Sequence, residues 1–179
     1  SGATLALGAN ETINNLSNGG TVTLAGILTT GTDNASNTLT GTVSGAGSLT
    51  KSGTGTLTLA SAGTFSYTGG TTVNAGTLLY GAANRLADTG AVTVSGTGTL
   101  NLGGFADTVG AVTLTAGTLA NGTLTGSGYT LSSGTVTASL AGANAAVTKS
   151  TSGTVILQTA NTYGGATSIN AGILDVRVD

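Results

Sequence analysis

Gly47-Ser-Leu-Thr-Lys-Ser-Gly-Thr-Gly-Thr-Leu-Thr-Leu59, continued by Tyr67-Thr-Gly-Gly-Thr-Thr-Val-Asn-Ala-Gly-Thr-Leu78, decides how this chain is read, because it occurs twice. The second copy runs Val147-Thr-Lys-Ser-Thr-Ser-Gly-Thr-Val-Ile-Leu157 and then Tyr163-Gly-Gly-Ala-Thr-Ser-Ile-Asn-Ala-Gly-Ile-Leu174. Lys51 thereby pairs with Lys149, Tyr67 with Tyr163, Asn74 with Asn170 and Gly76 with Gly172. Short runs that alternate apolar and polar residues, divided by glycines and duplicated, are the mark of a repeat architecture.

Working outward, the same offset relates Thr4-Leu-Ala-Leu-Gly8 to Thr99-Leu-Asn-Leu-Gly103, and Thr12-Ile13 to Thr108-Val109. The chain reads as one continuous body of two tandem units of roughly 96 residues, 1–95 and 96–179, the second cut short. That pattern is expected of a fragment of a longer array, or of a subunit whose end awaits a neighbour.

Apolar residues at every second position predict strands with one buried face. Such runs fall at Thr4–Leu7, Thr12–Ile13, Thr21–Leu24, Ser48–Thr50, Thr56–Leu59, Thr71–Asn74, Thr77–Tyr80, Ala91–Ser95, Thr99–Leu102, Ala111–Thr115 and onward to the second motif. Residues 31–45 read as a polar loop and one further strand around Leu39 and Val43, and residues 81–90 as a loop excursion. The pairs Gly19-Gly20, Gly69-Gly70, Gly103-Gly104 and Gly164-Gly165 read as corners, since no lysine-serine pair or helix follows them as in a phosphate loop.

Strands this short fit a sandwich, a barrel or a solenoid. Repetition along the whole length favours the solenoid, in which each unit stacks on a copy of itself. Stacked coils bring equivalent side chains together every ~4.8 Å, so like charges would form repelling ladders, and only 6% of the residues are charged. Strands paired on both sides tolerate no missing amide, and the chain has no proline. The expected fold is therefore all-β, a right-handed parallel β-helix of roughly nine coils and ~40 Å. Leu57 and Leu59, Leu100 and Leu102, Val112 and Leu114, and Val155 and Leu157 should point inward as aliphatic ladders with threonines outside.

The motif closely resembles the passenger-associated transport repeat of bacterial autotransporters. Leu100-Asn-Leu-Gly-Gly-Phe-Ala-Asp-Thr-Val-Gly-Ala-Val-Thr-Leu114 resembles the spacer found between such repeats. The resemblance implies a parallel β-helix exported across the outer membrane and displayed or released outside the cell, as a stalk, adhesin or matrix fibre. Its implied partners are neighbouring copies or flanking repeats stacked end to end, together with a host or neighbouring cell surface or a glycan.

Composition narrows the alternatives. A net charge of -2 with four scattered Lys and Arg lacks the clustered basic face that a nucleic acid requires. No run of some 18 apolar residues is present to span a bilayer as a helix. The absence of cysteine removes thiolate metal sites and suits secretion without oxidative folding.

Polysaccharide cleavage needs grouped carboxylates, and Arg85, Asp88 and Asp107 are the candidates, the two acids lying about one coil apart. Both acids read better as turn residues beside Thr89 and Thr108. Asp175, Arg177 and Asp179 read as one solvated edge, and Lys51 and Lys149 as outward structural residues. No catalytic, cofactor or metal residue is assigned. The Thr-x-Thr runs at 21–23, 56–58, 113–115, 123–125 and 135–137 admit an ice- or glycan-binding face, provided that they share one flat side.

Overall fold

A computed structural model describes residues 2–178. The chain climbs in nine coils, most of them turning through three short strands, and every strand pairing among the described residues is parallel. Each coil visits three faces in order. The second face is a nine-stranded sheet from Glu11–Ile13 to Thr167–Ile169. The third is an eight-stranded sheet from Asn37–Leu39 to Ile173–Val176. The first face is broken into two four-stranded sheets, one ending at Thr64–Tyr67 and the other starting at Ala106–Thr108. Residues 81–90 fill the gap without forming a strand.

Side-chain alternation and stacking together build the core. On the third face Leu57, Leu78, Leu100, Leu119, Val136 and Leu157 lie one above another, each at most 1% exposed. Burying each leucine is worth roughly 1.5–3 kcal/mol relative to leaving it in water. The pairs expected to face inward all do so, and the residues between them, Thr58, Asn101, Thr113 and Ile156, are only partly covered, two of the four not being the expected threonine.

The corners impose their own chemistry. Gly76, Gly117 and Gly172 open equivalent strands on the third face with φ of 63°, 88° and 73°. A Cβ at these positions would lie 2.3, 2.2 and 2.3 Å from the carbonyl oxygens of Gly55, Gly98 and Gly153 in the coil beneath. Both the left-handed backbone and the close approach therefore demand glycine. The four Gly-Gly pairs likewise lie between strands.

Several elements differ from the sequence reading. Residues 31–45 contain two strands on different faces, Asn37–Leu39 and Thr42–Gly45, separated by a corner at Thr40 and Gly41. Ile27–Thr30, Thr64–Tyr67 and Ser139–Gly142 are additional strands. Lys51 and Lys149 share their faces across five coils, as the duplicated motif implies. Thr4–Leu7 and Thr99–Asn101, by contrast, lie on the first and third faces.

Candidate functional site

Lys51 and Lys149 are not outward. They are 1% and 0% exposed, in the same inward column of the second face as Val73, Val94, Leu114 and Leu131. The Lys51 ammonium donates to the carbonyls of Ser52 at 2.6 Å and Gly53 at 2.8 Å on its own corner, and to Ala75 at 3.3 Å in the next coil. Lys149 repeats the arrangement with the carbonyls of Thr151 and Ala171. Burial pushes the Lys51 ammonium below the usual lysine range, and the nearby Asp33 carboxylate partly offsets this. The Lys51 donors are spent on backbone carbonyls, so the geometry is that of a staple between coils rather than of a free nucleophile.

The three residues weighed for polysaccharide chemistry are not brought together. Asp88 is exposed on the excursion, whereas Asp107 is 2% exposed and points into the core from the lower edge of the upper first-face sheet. There its Oδ2 accepts the amides of Arg85 at 3.1 Å and Leu86 at 3.0 Å. In a regular fifth-coil strand such amides would pair with backbone carbonyls of a neighbouring coil, and here the Asp107 carboxylate of the coil above takes that place. The Arg85 guanidinium turns the other way, donating to Gly63 O at 2.7 Å and Ala60 O at 3.2 Å while lying 5.5 Å from the Phe65 ring centroid.

Two buried tyrosines complete the cluster. Tyr67 Oη lies 2.7 Å from Thr71 Oγ1. Tyr163 and Thr167 repeat this pair at 3.0 Å. Tyr80 lies beside Asp107, but neither its hydroxyl nor Asp107 Oδ1 reaches a partner in hydrogen-bond geometry. Burial raises the Asp107 carboxyl above its ordinary range, against the opposing pull of the Tyr80 hydroxyl and the Leu86 and Arg85 amides. Burial also raises the Tyr80 phenol, and the Asp107 carboxylate raises it further. Glycoside hydrolysis ordinarily uses two carboxylates flanking a cleft, and Asp88 on the surface and Asp107 in the core do not form such a pair. Asp175 and Arg177 form an exposed ion pair at 2.7 Å, while Asp179 lies outside the described residues.

The Thr-x-Thr runs do not share one side. Residues 21–23 and 123–125 belong to the first face, 113–115 to the second, and 56–58 and 135–137 to the third. What the structure does build is a single outward column on the second face, from Thr12 through Thr50, Thr93 and Thr148 to Ser168, in which all nine rungs bear a hydroxyl. The two terminal coils expose apolar side chains, Leu5 at one end and Ile169, Ile173 and Val176 at the other. Grooves lie beside them, lined at the first end by Leu16 and Val22 and at the second by Leu157, Tyr163 and Val178.

Among the described residues no three His, Cys, Asp or Glu side chains gather as a metal site, and no helix is long and apolar enough to cross a membrane. No curated protein and no solved structure matches the chain significantly. The passenger-associated-transport-repeat family matches residues 49–79, 92–120 and 147–176, together half of the chain. Each match starts on the second face and covers five strands, second, third, first, second and third. The middle match takes in 100–114, which is therefore part of a third repeat and not a spacer, with Val94 on the rung that Lys51 and Lys149 occupy in the others. The chain thus belongs to the passenger-associated transport repeat family of autotransporter passengers.

Proposed function

We propose that this chain is a stiff, non-catalytic segment of an autotransporter passenger, carried outside the cell and serving as a stalk, adhesin or matrix fibre. The observation that carries the reading is the ladder of parallel strands around an aliphatic core, in a chain whose repeats are those of passengers. A tube filled with leucine and valine is suited to transmitting load and presenting faces. The candidate carboxylates are separated between surface and core.

Exposed apolar groups and unpaired strand edges at both ends suit stacking on flanking repeats or on neighbouring copies, since an uncapped edge templates further pairing. A host or neighbouring cell surface, or a glycan on it, is the outer partner of such a segment. In the cell that makes the protein, antibody added to intact cells should reach these residues, and their deletion should reduce attachment or cell–cell aggregation. Labelling only after lysis would refute the reading. Polysaccharide cleavage that Asp88→Ala abolishes would replace it with a lyase.

A further inference from the structure

The second face differs from the other two in what it lacks. Its outward side chains form three columns. The central one is threonine in every rung but Ser168; one flank is mostly alanine and glycine, as at Ala91, Ala111 and Gly128; the other is mostly serine and asparagine, as at Asn74 and Ser95. None of the ten charged residues of the chain lies in these columns. The first and third faces carry Arg85, Asp88, Phe105, Leu79 and Asp175.

A low ridge of hydroxyls beside a furrow of Ala and Gly is complementary to itself. A two-fold axis along the rod sets the threonine ridge of one copy in the alanine and glycine furrow of the other, and the reverse, as an isologous contact requires. The rung spacing of ~4.8 Å is common to both partners, so the match runs over the seven rungs from Ser48 to Ala166, while Asn10 and the exposed Ile27 fill the furrow in the first two. Two columns each ~7 Å wide over ~29 Å give roughly 400 Å² per copy, or about 800 Å² in all, the size of a weak, concentration-dependent contact. Absence of charge removes the repulsion that two identical faces would otherwise suffer.

We propose that the second face is a pairing surface for a second copy of this chain, side by side and parallel. This goes beyond the end-to-end association above and differs from it in shape. Small-angle scattering and sedimentation of the purified chain at high micromolar concentration should give a dimer no longer than one rod. Thr72→Lys with Thr113→Lys, outward in the centre of the face and two rungs apart, should abolish the dimer with unchanged circular dichroism. The same change on the third face, Thr77→Lys with Thr118→Lys, again two rungs apart, should leave it intact. The proposal is overturned by a strictly monomeric wild-type chain, by a dimer of doubled length, or by a face variant that still pairs. It is also overturned by a third-face variant that does not pair, or by a monomer that binds an insoluble glycan through this face.

Discussion

Lys51 shares the parity of Leu49, and Lys149 that of Val147, so alternation alone places both lysines inside. Their equivalent places in the repeat pointed to a structural role but not to its direction, and three carbonyls at a corner satisfy the buried Lys51 ammonium. Replacing Lys51 with Met keeps the apolar stem but leaves those carbonyls without their donor. A loss of about 1–3 kcal/mol is expected in denaturant unfolding, and no loss would refute the staple. Asp107 was legible in the same way, through its parity with buried Val109, but its role was not, because nothing local shows that a strand is missing one coil below. Its raised native pKa means that the folded chain holds this proton at a pH where the unfolded chain has released it. Stability should therefore rise as pH falls from neutral through the native value toward the ordinary 3.8, and Asp107→Asn should flatten that slope. Denaturation midpoints of the two proteins across this range provide the check.

At the scale of the element, the strands with clean alternation, such as Thr21–Leu24 and Thr56–Leu59, were readable because inward leucine and outward threonine mark the period directly. Ile27–Thr30 was not, since it buries a threonine at Thr30 and exposes an isoleucine at Ile27, the reverse of the rule. The allocation of strands to three faces was hidden as well, because corners of mostly two to four residues bend the chain without changing its composition. The corner glycines give the sharpest test. Gly117→Ala combines a positive φ with a carbonyl contact of 2.2 Å, so it should cost about 2 kcal/mol or more and lower the thermal midpoint. An alanine variant as stable as the parent would mean that the corner is not built as described.

At the scale of the whole molecule, periodicity sufficed for a stack of about nine coils, because register in a solenoid is enforced by the same columns that fill its core. The family repeats are set two and three coils apart, starting at Leu49, Val92 and Val147, and that uneven step is why the middle copy escaped a search for one constant offset. Stiffness is the property on which the passenger reading depends. The chain contains no cysteine, so Thr29→Cys with Thr148→Cys would place two spin labels on outward rungs of the second face, six steps apart. Pulsed electron spin resonance on dilute protein should return a single narrow distance near ~29 Å. A broad distribution, or a distance that does not scale with the number of rungs when Thr148 is exchanged for Thr93, would contradict the stacked rod and the function built on it.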